Sequence, residues 1–203
     1  MSPDPHRRKL RIELFGGFRL THDGELVTAI DTPRLQSLLV YLLLNRGTPQ
    51  SRHRLAFRFW PDSPERQALT NLRNLLFRLR HSLPDADRFL RVDHATLEWR
   101  EAAPYEFDIA EFEDALSRAA DASAPDEVQE ALERAIDLYE GDLVPGLYDD
   151  WIGPERRRLR QSFERALEQL IQVLEDRRNY RAAIDYARRL VRHDSIREAS
   201  WRR

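Results

Sequence analysis

Apolar and polar positions follow one another with two different periods along this chain, and each period predicts its own kind of structure. Between Lys9 and Ile30, KLRIELFGGFRLTHDGELVTAI, short β-prone runs are separated by Gly16-Gly17 and by Asp23-Gly24. Both pairs are hairpin signals, because tight turns need the positive φ that glycine adopts freely, and the stretch predicts a small antiparallel sheet. From Thr32 the period lengthens to that of a helix. Thr32-Pro33 supplies an N-cap and first-turn pair, and Leu35, Leu38, Leu39, Leu42 and Leu43 form a core stripe that ends at Asn45-Arg46-Gly47. Ser51 caps a shorter helix with Leu55, Ala56 and Phe59 inward, which stops at Trp60-Pro61. Ser63-Pro64 opens a third helix. On it Ala68, Leu72, Leu75, Leu76, Leu79 and Leu83 share one side and Thr70, Asn74, Phe77 and His81 the opposite one, with Arg66 and Arg73 along one edge and Gln67 and Arg78 along the other. Residues 89–99, FLRVDHATLEW, alternate Leu90, Val92, Leu97 and Trp99 with polar residues around Asp93-His94-Ala95, a hairpin pattern. Sheet, three helices and a closing hairpin, in that order, predict a winged helix-turn-helix.

After Phe107 the pattern is helix upon helix. Helices are expected over 108–120, 125–141, Pro154 to about Asp176 and 179–192, with a further start at Ser195. The segment NYRAAIDYARRLVRHDSIREA resembles a tetratricopeptide unit, with Tyr180, Ala183 and Leu190 at packing positions, although Asn179 and His193-Asp194-Ser195 depart from that pattern. Leu159, Phe163, Ala166, Leu167, Leu170 and Leu174 make one apolar stripe and Ala183, Ile184, Ala187 and Leu190 another, so these two helices are expected to pack antiparallel. The predicted fold is therefore mainly α with a small β component: a winged helix-turn-helix domain over 1–103 followed by a tetratricopeptide-like α-helical domain over 104–203. Trp151 is expected as a core plug through which the second domain docks on the first. The chain stops inside a helical pattern at Trp201-Arg202-Arg203, which reads as truncation and predicts an exposed apolar edge at Ile196, Ala199 and Trp201.

Charge sharpens this division. The net charge of −2 conceals 17 Lys and Arg against 12 Asp and Glu in residues 1–103, and 16 against 23 in the remainder. From Arg46 to Arg80 eight arginines meet only Asp62 and Glu65, a local field that attracts polyanions. The stretch ALTNLRNLLFRLRHSL, residues 68–83, contains Arg73, Arg78 and Arg80 and no acid, forgoing the mixed-sign pairs that usually support a solvated helix. The run ERRRLR, residues 155–160, lies in the acidic half and is expected to make intrahelical and interdomain salt bridges. His6-Arg7-Arg8-Lys9 reads as a solubilising tail or as a minor-groove arm.

Other chemistry finds little support. Cysteine is absent, which removes disulfides and thiol catalysis, and no apolar run approaches the roughly 20 residues that span a bilayer. MSPDPHRRKL has no apolar core of a secretory signal, so a cytoplasmic location is expected, without membrane association. Gly16-Gly17 lacks the Gly-Lys-Ser or Gly-Lys-Thr of a phosphate loop, and the six histidines form no HExxH or clustered metal site. Neither an enzyme nor a bound cofactor or metal is expected.

LRIELFGGFRL, TPRLQSLLVYLLLNRGTPQSRHRLAFRFWPD, ALTNLRNLLFRLRHSL and YEGDLVPGLYDDWIGPERRRLR, in this order, resemble the antibiotic-regulatory-protein type of bacterial transcriptional activator, in which a response-regulator-like winged helix is joined to a bacterial transcriptional activator domain. The resemblance implies binding to direct repeats in double-stranded promoter DNA, side-by-side protomers forming a homodimer there, and contact with RNA polymerase holoenzyme. Where the family often has a Gly-Gly-Tyr wing turn this chain has Val92-Asp93-His94-Ala95, whose acid would repel phosphate. In such a fold the third helix enters the major groove. Arg73 and Arg78 suit guanine or phosphate, Asn74 suits adenine, Thr70 or Phe77 can meet a thymine methyl, and His81 and Arg66 complete the face. Ser51, Arg52, Arg54 and Arg58, with His53, would face the DNA backbone, and Arg91 would reach it from the hairpin. Phe77 could instead be a packing residue. The competing assignment is an acidic helical adaptor whose winged helix binds protein.

Overall fold

The computed structural model describes residues 9–201, with side chains as far as Val191. They fall into two compact units. The first comprises the chain up to Leu14, Phe18–Glu106 and Gly146–Ile152; the second comprises Phe15–Gly17, Phe107–Pro145 and the chain from Gly153 onward.

In the first unit, β1 (Leu10–Glu13), β2 (Arg19–His22) and β3 (Glu25–Leu26) form the expected antiparallel sheet, in register Leu10↔His22 and His22↔Glu25. Asp23 and Gly24, at φ of 54° and 85°, close the β2–β3 turn as the Asp-Gly pair required. A fourth strand, β7 (Tyr105–Phe107), lies beside β1. At three residues it is too short to leave a periodic signal.

Three helices follow. α1 (Pro33–Leu44) has proline in its first turn and buries Leu35, Leu38, Leu39, Leu42 and Leu43; Thr32 stands at its N-cap without a side-chain hydrogen bond. α2 (Arg52–Phe59) is capped by Ser51, whose hydroxyl accepts from the Arg54 amide at 3.5 Å, and buries Leu55, Ala56 and Phe59. α3 (Glu65–Ser82) buries Ala68, Leu72, Leu75, Leu76 and Leu79. A short turn of helix, α4 (Ala86–Phe89), leads into the hairpin of β5 (Leu90–Val92) and β6 (Thr96–Trp99), whose outer edge is taken by β4 (Gln50–Ser51). This strand fixes the wing to the start of α2. Trp99 stacks on Phe89 at 5.6 Å and closes the core. Trp151, in the segment Gly146–Ile152 of this same unit, meets Tyr41 edge-on at 5.1 Å, and neighbouring Asp149 holds Arg34 at 2.9 Å.

The second unit is built from α5 (Asp108–Asp121), α6 (Pro125–Leu138), α7 (Ile152–Asp176) and α8 (Tyr180–Trp201). Only three residues join α5 to α6, and Glu111 meets Arg134 across the pair, the pairing expected of antiparallel neighbours. The predicted stripe of α7, Leu159 to Leu174, is buried throughout. α8 departs from expectation in two ways. Its backbone is continuous through His193-Asp194-Ser195, where a new start was expected; these residues only lower helix propensity, whereas proline would have broken the ladder. Ala183 is buried, but Tyr180 and Ile184 are 59% and 52% exposed, so the inward stripe is narrower than the tetratricopeptide pattern suggested. The side chains of the expected apolar edge at Ile196, Ala199 and Trp201, and residues 6–8 of the basic N-terminal run, lie outside the described residues.

A buried carboxylate organises this unit. Asp108, at the start of α5, accepts from the Phe15 amide and the Ile109 amide, each at 2.8 Å, and Phe15 packs against Phe112 and Tyr139. Beside it Gly16 and Gly141 approach so closely that a Cβ on Gly141 would lie 3.2 Å from the Gly16 Cα. The Gly16-Gly17 pair thus serves the strand connection and this close approach together. Replacing Asp108 with Ala strands the Phe15 amide in an apolar site, and should destabilise the protein by about 1–3 kcal/mol in urea unfolding.

Candidate nucleic-acid interface

The outward face of α3 follows from what its inward face buries. With Ala68, Leu72, Leu75, Leu76 and Leu79 at 5% exposure or less, the helical period turns Thr70, Asn74, Phe77 and His81 to the opposite side. Asn74, Phe77 and His81 are exposed, Phe77 by 62%, and Thr70 is half-buried, its hydroxyl donating to the Arg66 carbonyl at 2.9 Å. The methyl group of Thr70 is the part this bond leaves available. Phe77 lies against His81 with ring centroids 4.0 Å apart and the rings tilted by 38°. Phe77 is therefore a surface aromatic paired with its neighbour one turn on.

Arginines border this line. Arg66, Arg73 and Arg78 are exposed, and among the described residues none of them has an acidic partner within ion-pair distance. Arg80 differs: Asp87 holds it at 2.5 Å. On α2, Arg54 is exposed and unpaired among the described residues, while the others have structural attachments. Arg52 donates through its amide to the Ala95 carbonyl at 2.9 Å and through its guanidinium to the Asp93 carbonyl at 3.3 Å; Arg58 lies 5.3 Å above the Tyr41 ring. His53 faces Glu65 at 3.1 Å, and Arg91, on β5, lies 3.9 Å from Glu98 on the paired strand. The structure thus brings the α3 candidates and Arg54 onto open surface. It gives Ser51, Arg52, Arg58 and Arg91 partners within the fold, contacts that no reading of spacing could supply.

Asp93 has a role at the wing tip that its charge alone did not reveal. Its carboxylate accepts from the amides of Ala95 and Thr96, at 3.0 and 2.8 Å, and from the Thr96 hydroxyl at 2.9 Å. The acid closes the turn that glycines would close by conformation. These bonds, led by the Thr96 amide, hold its pKa below the ordinary carboxylate value. A depressed folded pKa means the turn's stabilisation is complete above the unfolded-state value, about 3.9, and is lost as pH falls through the lower folded value. Amide shifts of Ala95 and Thr96, followed by NMR, should stay constant down to about pH 4 and move together only below it.

In the second unit Arg156, Arg158 and Arg160 of α7 bind groups of their own unit, while Arg157 between them is exposed. Arg158 binds Glu155 and Glu113, both at 2.9 Å, Arg160 binds Asp142, and Arg156 donates to the Leu143 carbonyl at 2.7 Å and to that of Val144. One of these pairs is intrahelical, as expected; the others stay within the second unit, which corrects the expectation of interdomain bridges. Among the described residues no group of three or more His, Asp or Glu is placed to hold a metal ion, and no helix is long and apolar enough to cross a membrane.

Residues 107–203 match the family described as bacterial transcriptional activator domain. The chain is similar to regulatory protein AfsR of Streptomyces coelicolor, 29% identical over 153 residues, covering 74% of this chain and 15% of AfsR. It is also similar in fold to EmbR of Mycobacterium tuberculosis, solved in complex with a low affinity phosphopeptide, with a TM-score of 0.75, 20% identity, and coverage of 96% of this chain and 53% of that one. The chain therefore spans less than two thirds of the length of either protein.

Proposed function

We propose that this chain, a protein of the antibiotic-regulatory-protein type of bacterial transcriptional activator, binds double-stranded promoter DNA through the outer face of α3. Residues 1–103 form the DNA-binding part and residues 104–203 the activator part. The observation that carries this reading is the acid-free line Thr70, Asn74, Phe77 and His81, bordered by the unpaired cations Arg66, Arg73 and Arg78. A helix that left such a face to water would gain more from mixed charges. Seated in a major groove, Arg73 and Arg78 grip guanine or phosphate, Asn74 addresses adenine, and Arg54 reaches the backbone from α2. Family likeness adds direct repeats occupied by side-by-side protomers and an activator half that contacts RNA polymerase holoenzyme in the bacterial cytoplasm.

If about four to seven phosphates are neutralised per protomer, the logarithm of affinity should fall with the logarithm of salt concentration at a slope of roughly −4 to −6. A slope near zero would instead point to the protein-binding adaptor.

Base reading and backbone grip should separate by mutation. Asn74→Ala should cost about 1–3 kcal/mol on the preferred site and relax preference at one base pair. Arg54→Ala, which removes no contact within the fold, should weaken all sequences alike and reduce the salt slope by about one. Equal losses on preferred and random duplexes in both variants would refute this register of α3.

A further inference from the structure

His81, the penultimate residue of α3, stands at the C-terminal end of the outer face, with its ring held by two contacts. Its Nδ1 lies 2.8 Å from the Phe77 carbonyl oxygen. A carbonyl can only accept, so Nδ1 carries the proton, and in the neutral ring Nε2 is left as a lone-pair acceptor. The Phe77 ring, 4.0 Å away and inclined by 38°, supports the imidazole from one face. Nε2 is the one polar atom this arrangement leaves unused.

We propose that His81 is a specificity-determining residue, which accepts through Nε2 from an exocyclic amine on a base edge, N4 of cytosine or N6 of adenine. This rests on the reading of α3 as the helix that enters the major groove. There the amines of cytosine and adenine are the donors, while guanine offers N7 and O6 and thymine offers O4, all acceptors. A neutral His81 therefore selects against guanine and thymine by setting lone pair against lone pair. Phe77 keeps the ring plane from rotating away, so the selection is built into the free protein.

The same lock makes the reading reversible by a proton. A second proton on the ring can only go to Nε2, which turns the acceptor into a charged donor suited to guanine O6 or N7. The charged and titratable groups sharing the surrounding cleft, about 520 Å³ in volume, are Arg73 and Arg80 from α3, Arg52 from α2, and Asp85 and Asp87 from the segment that follows α3; the wing contributes apolar Val92. Arg80 is already engaged by Asp87.

The test compares the full chain and its His81→Gln variant on a pool of duplexes with a randomised central segment, at constant salt, near pH 8 and near pH 6. Glutamine offers a donor and an acceptor at either pH. The expected result is one base pair at which the unsubstituted protein prefers cytosine or adenine by about ten-fold near pH 8, with that preference shrinking or turning to guanine near pH 6. In the variant, preference at that position should no longer change with pH while every other position is unaffected. An unchanged pH response in the variant overturns the proposal. Nitrogen shifts of the His81 imidazole give a second readout: a proton on Nδ1 and none on Nε2 near pH 8 is expected, and the opposite tautomer overturns it. If the unsubstituted protein shows no sequence preference at either pH, the assignment of α3 fails, an outcome distinct from loss of the His81 effect alone.

Discussion

Burial of the α3 leucine stripe is the constraint from which the rest of the first unit follows. Leu72 and Leu79 are removed from water completely, and each fully buried leucine is worth about 1.5–3 kcal/mol. A rotation of α3 by one residue, about 100°, would expose much of this stripe and bury Arg73 and Arg80, or Asn74 and Arg78, without partners. The hydrophobic effect thus fixes the helix about its own axis. Its outer face is polar, aromatic and basic because the opposite face has been committed to the core.

Around that helix, polar contacts determine which cations remain available. Arg80 and Arg52 are drawn to Asp87 and to the wing carbonyls, Arg58 lies over Tyr41, and Arg66, Arg73 and Arg78 are left facing solvent. Arg52 and strand β4 both attach the wing to the start of α2, so the wing, α2 and α3 are linked through short hydrogen bonds as well as a shared core. Asp93 belongs to the same economy of contacts: its carboxylate satisfies two amides and a hydroxyl at the tip, though its negative charge remains on that surface.

In the second unit the same residue type does different work. Arg156, Arg157, Arg158 and Arg160 form the densest basic run of the acidic half, yet all but the exposed Arg157 bind Glu113, Glu155, Asp142 or main-chain carbonyls. Asp108 anchors the start of α5 and the Phe15 backbone, and Tyr139, stacked on Phe163 at 4.1 Å, donates its hydroxyl to Asp142. Burial and that neighbouring carboxylate push the Tyr139 phenol well above its usual range, so the hydroxyl keeps its proton.

What the sequence by itself determined is whatever short-range periodicity can encode. The leucine spacing of α1 and α3, the Ser51 cap, the Asp23-Gly24 turn, the alternating hairpin and the α7 stripe each carry their signal within one or two turns of chain, and the outer face of α3 follows directly from it. Strands β4 and β7 were not legible, because pairing of two or three residues depends on a partner far away in the chain. The unbroken α8 follows from a join at His193-Asp194-Ser195 that lowers helix propensity without a proline to break it, and the exposure of Tyr180 and Ile184 was decided by which neighbours cover the helix. The tertiary structure alone decided which arginines are spent within the fold, that Asp93 ties its own turn, and that His81 is locked on the Phe77 carbonyl with one nitrogen free. The sequence specifies which groups are present, but hydrogen bonds and ion pairs depend on distances of about 3 Å, and folding brings distant residues to that range.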